Sequence, residues 1–363
     1  MNNKRIENLT YLRGVATLVV MLFHVTTIYD DKYLGGIFTP GWSGVEMFFV
    51  LSGFLMIYTY SSNISTKEFV RKRLIRIIPA YWIYTIMVFA IQYVMFKLKN
   101  FCFIGWVYQE GMSLKQMLPK LISALLFDPI SKSFLLPTAW TLSYEILFYV
   151  ICIILFFRGK KAFYGIVSVW TIGSILNIVS GFNNDILGFV FSQYTLEFVA
   201  GIVIAEIVIA KKYTRESGVI TTVVGIILLT ISWVLSMVNL VDTQLYRVYC
   251  FGIPCVLLLY GITVLEKTSE YDRRDSAVKK CLRYFSNISY TLYLVHYVVA
   301  WFIFRTFFDT NNPLFISAYK YAKELPTSVV ILANVGIVIF ISHILYKKVE
   351  SAVPRLLSKK SEH

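Results

Sequence analysis

Charged side chains are scarce in this chain: Asp, Glu, Lys and Arg make up 15% of its 363 residues, against about a quarter in a typical soluble domain. With 57% hydrophobic residues and a mean hydropathy of +0.65, a water-soluble core of this length could not cover its apolar surface. The shortage excludes an ordinary soluble enzyme and points to lipid as the solvent. Acid is scarcer than base, 21 residues against 35, giving a net charge of +14. Such an excess would suit a nucleic-acid face, but here the basic residues gather between apolar runs, where they set topology; no nucleic-acid partner is expected. Cysteine is sparse as well. Of five, Cys152, Cys250 and Cys255 fall inside apolar runs and none shows CxxC spacing, so neither a disulfide framework nor a metal site is expected. No internal repeat, low-complexity tract or appended soluble domain is expected from the sequence. The first apolar run has no small-residue cleavage site and carries Arg13 and His24, which marks an uncleaved span rather than a signal peptide.

What is abundant is apolar sequence in blocks of membrane length. Ten stretches are long enough to cross: 10–29, 43–60, 77–96, 139–157, 162–180, 194–210, 218–237, 246–265, 286–307 and 327–346. Backbone inside a bilayer must be paired internally, so these runs predict helices. The expected fold is an all-α polytopic membrane bundle of about ten transmembrane helices. Aromatics, at 17%, suit interfacial belts. With the N-terminus in the cytoplasm, the inner segments hold Lys4 and Arg5; Arg71, Lys72, Arg73 and Arg76; Arg158, Lys160 and Lys161; Lys211, Lys212 and Arg215; Lys267, Arg273 and Arg274; and Lys347, Lys348, Arg355, Lys359 and Lys360. The outer connections 30–42, 181–193 and 238–245 carry only Lys32. Both termini are therefore expected in the cytoplasm, with residues 1–346 a single membrane domain and 347–363 a short basic tail. In the longer outer connection 97–138, Leu114, Met117, Leu118, Leu121, Ile122, Leu125 and Leu126 repeat at helical spacing. They predict an interfacial or re-entrant helix, either packing against the bundle or forming a lid or floor for an outer ligand.

Ionisable groups inside spans are the functional candidates. Arg13 and His24 are eleven residues apart on the first span, about three turns, so they share a face and are separated by roughly 16 Å along the axis. Arg13 lies near the inner end and His24 near the outer. Each also has a plain alternative, snorkelling for Arg13 and helix packing for His24. Glu46 sits one turn into the second span, beside Gly44, Ser52 and Gly53, and capping its helix N-terminus is the simplest explanation. Arg73 and Arg76, three apart at the inner boundary, can fork onto phosphate oxygens or simply obey the topology rule. Glu145, six residues into the fourth span, comes to nearly the depth of His24 counted from outside, where it could orient the imidazole or pack independently. Glu197 lies near the outer end of the sixth span with Glu206 deeper. His296 lies near the middle of the ninth, with Tyr290 and Tyr293 on neighbouring turns; a structural hydrogen bond is its simplest role. His343 and His363 look peripheral.

The segments LRGVATLVVMLFH, GWSGVEMFFVLSGFLM, RKRLIRIIP, AWTLSYEILFY, LEFVAG and SNISYTLYLVH occur together in an order that resembles the integral-membrane acyltransferase-3 family of bacterial surface-glycan O-acyltransferases. The resemblance spans most of the chain, and WTLSYE is most similar to standalone members that acetylate exopolysaccharide or O-antigen sugars. It implies that His24 and Arg13 match the family's first-span histidine and arginine, Arg73 and Arg76 its paired arginines, and Glu145 its fourth-span acidic residue. Where the family usually has Asp in the second span, this chain has Glu46. The implied reaction is acyl transfer, an acetyl in the first instance, from cytoplasmic acyl-CoA to a hydroxyl of an extracytoplasmic or lipid-linked glycan, in a bacterial inner membrane.

On that reading His24 is the catalytic base or a transient acyl carrier, with Glu145 orienting it. Arg13, Arg73 and Arg76 hold acyl-CoA. Glu46, Trp140, Ser143, Glu197, Tyr293 and His296 are possible supporting residues. No tightly bound cofactor and no metal is expected; the partners are acyl-CoA, the glycan acceptor and membrane lipids. A lipid-linked sugar transporter or flippase is the competing class, although related halves with broken helices are not evident. A non-catalytic scaffold gives no reason for a histidine and a carboxylate at matched depth.

Overall fold

The computed structural model describes residues 6–60, 66–99, 101–109, 112–242, 246–269, 276–308 and 324–353. Lys4, Arg5, Arg273, Arg274, Arg355, Lys359, Lys360, His363 and most of the connection 308–326 lie outside these described residues. Among the described residues, eleven α-helices follow in order: α1 (Glu7–Tyr29), α2 (Gly44–Tyr60), α3 (Thr66–Lys99), α4 (Leu114–Leu125), α5 (Trp140–Ser180), α6 (Asp185–Val190), α7 (Tyr194–Ile209), α8 (Arg215–Met237), α9 (Ile253–Thr268), α10 (Ala277–Phe307) and α11 (Thr327–Leu345). Among the described residues no strand forms, and ten segments are long and apolar enough to cross a membrane. Each overlaps one of the ten runs read from the sequence. The fold is an all-α polytopic membrane protein.

Local chemistry explains several boundaries. The carboxylate of Glu266 accepts from the amides of Glu7 and Asn8, both at 2.7 Å, answering two of the unpaired N–H groups that open α1 and complementing its dipole. Ser113 and Gln116 form a reciprocal capping box at α4, and Thr214 with Ser217 does the same at α8. The fourth and fifth apolar runs are joined by a single break inside α5 rather than a loop. Gly159 there has φ 79°, left-handed backbone that glycine adopts without strain.

The chain forms two compact units. The first comprises residues 1–20, 39–70 and 144–287. Its tightest seam is α2 on α7: a Cβ on Gly53 would collide with the Phe198 backbone, and one on Gly201 with the Val50 carbonyl. Small residues let the two backbones touch, the usual device where lipid supplies no hydrophobic drive between helices. Phe148 and Phe198 stack at 4.5 Å beside this seam. On α8, Ile220, Val223, Ile227, Ile231 and Val234 form an outward row, each between 49% and 61% exposed. A contiguous apolar face of that kind belongs against lipid.

The second unit comprises residues 21–38, 71–143 and 288–363. Buried Gln92 of α3 donates to the Phe101 carbonyl and accepts from the amides of Phe103 and Ile104 at 2.9–3.1 Å, pinning the loop that precedes α4. The helix α4 then descends. Tyr81 donates to the Ala124 carbonyl at 2.7 Å and Trp82 to that of Leu125 at 2.9 Å; both donors lie near the middle of α3. Met117, Leu121 and Ala124 are buried, whereas Leu118, Ile122 and Leu126 face outward. The apolar stripe is thus a helix with one side packed on protein and its C-terminal end level with the middle of α3. Thr138 next donates to the Tyr293 carbonyl at 2.9 Å, so the fourth span starts level with the middle of α10. Irregular backbone at such depth is tolerated when protein pairs it, as Ser143 does for the Phe127 carbonyl at 2.8 Å.

Candidate catalytic site

In the second unit, the last turns of α1 bring His24 against α10. Its Nδ1 lies 3.0 Å from Nε2 of His296, and the Nδ1 of His296 lies 2.9 Å from the Leu292 carbonyl oxygen one turn earlier. His296 is fully buried, while His24 remains partly exposed. A wall of aromatic rings flanks the pair. Tyr297 meets His24 edge-on at 5.1 Å, Trp106 packs on Tyr297 at 5.6 Å, and Trp301 stacks along Tyr297 at 6.2 Å. The indole N–H groups of Trp106 and Trp301 are held by the carbonyls of Phe134 and Phe103, which fixes both ring planes. A partly exposed imidazole hydrogen-bonded to a second ring has the chemistry to accept a proton.

Around that pair, Tyr293 accepts Thr138 at its carbonyl and shares its hydroxyl with Thr141 at 3.0 Å, tying the start of α5 to α10. Trp140 opens α5 at this point, and Ser143 serves Phe127. These residues hold the scaffold beneath the histidines. Arg73 is half-buried and Arg76 exposed near the N-terminal end of α3, in this same unit. Tyr290 anchors that level by donating to the Ile77 carbonyl at 2.7 Å.

The other candidates belong to the first unit. Arg13 is half-buried on α1. Glu145 accepts from Tyr149, one turn along its own helix, and from Ser52 of α2 at 3.5 Å, the long limit of a hydrogen bond. His24 belongs to the second unit and Glu145 to the first. Glu46 does more than cap α2: beside a contact with its own first-turn amide, its buried carboxylate forms an ion pair with the largely buried Arg247. The guanidinium is clasped between the rings of Trp42 and Tyr194, 4.7 and 4.8 Å from their centroids, and donates to the Tyr194 hydroxyl at 2.8 Å. Glu197 lies in the same buried region beside Gly252, and neither of its carboxylate oxygens has a hydrogen-bond partner among the described residues. Glu206 pairs with Lys160 at 3.3 Å and with Tyr164.

Sequence reasoning missed Arg247, Tyr297, Trp106 and Trp301. Arg247 had a usable signal: it is a cation inside the apolar run 246–265, where an ionisable group is costly. The three aromatics had none, because aromatic residues are common throughout the sequence.

The fold defines a multi-pass membrane protein that carries a part-buried pair of imidazoles. The chain belongs to the acyltransferase-3 family: its residues 6–347 match that acyltransferase domain. Over 191 residues it is 29% identical to the exopolysaccharide production protein ExoZ of Rhizobium meliloti (strain 1021), covering 51% of this chain and 55% of that protein. Over 81 residues it is 37% identical to the putative acetyltransferase ORF330 of Acidianus two-tailed virus, covering 22% of this chain and 24% of that one. The matched region thus spans about half of ExoZ and about a quarter of ORF330. No solved structure matches.

Proposed function

We propose that this protein is a membrane O-acyltransferase that moves an acyl group, acetyl in the simplest case, from acyl-CoA to a hydroxyl of a surface glycan or its lipid-linked precursor. The observation that carries this reading is His24, a partly exposed imidazole braced by buried His296 and flanked by fixed aromatic rings, in a chain of an acyltransferase family. The names of the two relatives, one tied to exopolysaccharide and one to acetyl transfer, support the acceptor and the acyl group. Basic residues on the even-numbered connections support a cytoplasmic N-terminus in a bacterial inner membrane, which would place the acyl-CoA end inside and the glycan outside.

In the proposed reaction, His24 takes the proton of the acceptor hydroxyl as its oxygen attacks the thioester carbonyl carbon. The tetrahedral intermediate collapses with cleavage of the C–S bond. The imidazolium returns its proton to the departing thiolate, leaving the O-acyl sugar and free CoA. Tyr297 and Trp106 offer apolar faces on which a pyranose ring can lie. Arg73 and Arg76 grip the nucleotide phosphates by charge-assisted hydrogen bonds. Arg13, in the first unit, is proposed for acyl-CoA on its charge and position in the sequence, and Glu145 is assigned to packing between α2 and α5.

His24→Ala should lower kcat for transfer of radiolabelled acetyl by roughly 10²–10⁴-fold while the purified protein stays monodisperse. In cells, mass spectrometry of the surface glycan should show loss of one acyl increment per repeat with the polymer still exported. Export lost with the acylation of residual polymer unchanged would replace this reading with transport.

A further inference from the structure

We infer that His296 is a positioning residue that fixes the tautomer of His24, leaving the reactive lone pair on Nε2. The inference rests on the reading of His24 as the base and names the residue that sets it up.

The argument uses two contacts. A backbone carbonyl oxygen has no proton to give, so the 2.9 Å contact between it at Leu292 and Nδ1 of His296 requires the proton on that Nδ1. The His296 ring is fully buried, where a net charge is costly, and a neutral ring protonated at Nδ1 has a bare lone pair at Nε2. That lone pair faces Nδ1 of His24 at 3.0 Å. Two bare nitrogens at this separation would repel, so Nδ1 of His24 carries the hydrogen and donates it. The neutral His24 ring must then keep its own lone pair at Nε2.

The relay runs in one direction only: His24 Nδ1–H to His296 Nε2, and His296 Nδ1–H to the Leu292 carbonyl. Because α10 supplies both His296 and Leu292 from consecutive turns, the acceptor end is built into helix geometry and does not rotate freely. When His24 takes up a proton at Nε2, its Nδ1–H bond to His296 becomes charge-assisted and strengthens. The partner thus favours the protonated intermediate without receiving the proton itself. A buried imidazole here does the orienting work that a carboxylate or amide does in other nucleophile–base sets, and it does so without burying a net negative charge.

The chain has four histidines, which makes the tautomer directly measurable. Protein labelled with ¹⁵N-histidine, carrying His343→Gln and His363→Gln to leave two rings, would be examined in lipid bilayers by magic-angle-spinning NMR. Both remaining rings should show a protonated Nδ1 and an unprotonated Nε2. A His24 ring protonated at Nε2 overturns the inference. On the kinetic side, His296→Phe removes the acceptor and should lower kcat by roughly five- to a hundredfold, the range expected for one buried donor left unpaired, with KM for acyl-CoA unchanged. His296→Gln restores a carbonyl acceptor at similar reach and should recover most of that loss. A His296→Phe protein that turns over like wild type, or a Gln variant no better than Phe, overturns the positioning role. If the Phe variant does not fold, the Gln variant and the spectrum still decide. The spectrum needs no substrate, so failure of the transferase reading, seen as His24→Ala retaining full transfer, is separable from failure of the relay.

Discussion

Removing Arg247 should destabilise the first unit far more than replacing it together with its partner. Arg247 is 13% exposed and Glu46 not at all, so the pair is desolvated. An Arg247→Ala change strands a buried carboxylate, which costs about 3–5 kcal/mol when one member of such a pair is lost. It also removes the cation from between Trp42 and Tyr194, a further contribution of about 0.5–2 kcal/mol. For a domain of this unit's size each kcal/mol moves the melting point by about 2–4 °C, so the ion-pair loss alone predicts a drop of about 6–20 °C. A double replacement, Glu46→Leu with Arg247→Met, removes both charges and fills the space; it should recover most of the loss, since apolar replacement of a whole buried pair is commonly neutral or stabilising. The assay is thermal unfolding in detergent read by a thiol-reactive fluorophore, because Cys152 and Cys255 are buried in this unit and become reactive when it opens. An Arg247→Ala protein melting within about 2 °C of wild type, or a double variant no more stable than the single, would refute the account. Activity of the double variant adds a second decision: if it is stable and still transfers acyl groups, Glu46 is structural.

Two further outcomes follow from packing. Gly201→Ala places a methyl group against the Val50 carbonyl and the Gly53 backbone and should cost on the order of 1–3 kcal/mol, seen as early aggregation on size exclusion, whereas Gly336→Ala, with no atom within 4 Å of the added carbon, should be neutral or better; equal behaviour of the two would contradict the close α2–α7 contact. Trp106→Ala should raise KM for the glycan acceptor about two- to tenfold, the range of one aromatic stacking partner, with KM for acyl-CoA unchanged; an effect on the acyl donor instead would remove Trp106 from the acceptor side.

The spans were legible because bilayer thickness and the ban on unpaired backbone leave few choices for a twenty-residue apolar run. The stripe from Leu114 to Leu126 was legible as a helix for the same reason that any 3.6-residue period is. Its depth was not, because depth depends on Tyr81 and Trp82, which meet it from more than forty residues away in sequence. The bond from Thr138 to the Tyr293 carbonyl was equally hidden, since it joins residues 155 positions apart. His24 was identifiable from its place on the first span, yet its partner was not, since the contact with His296 joins residues 272 positions apart. Glu46 shows the same limit: an acid in the first turn of α2 reads as a cap, and its ion pair with Arg247 joins residues 201 positions apart.

The second unit also permits a decision about the arginine pair, because His24, His296, Arg73 and Arg76 all belong to it. Arg76 adjoins Ile77, whose carbonyl is bound by Tyr290, and His296 lies six residues beyond Tyr290 on α10, about 9 Å of axial rise. Arg73 is one turn further toward the N-terminal end of α3, about 4.5 Å lower. A pantetheine arm has about a dozen atoms in its main chain, the length of about four extended residues or roughly 14 Å. On the proposed reading, phosphates held between the two arginines would set a thioester within reach of the histidine level, and a donor lacking phosphates would gain nothing from them. Arg73→Ala with Arg76→Ala should raise KM for acetyl-CoA by roughly tenfold or more, the loss of one to two charge-assisted bonds, while leaving the slower reaction with S-acetyl-N-acetylcysteamine at its wild-type rate. If both donors suffer equally, the arginines serve topology or folding rather than the nucleotide. If neither suffers, acyl-CoA is gripped elsewhere and the reach from α3 to His24 plays no part in transfer.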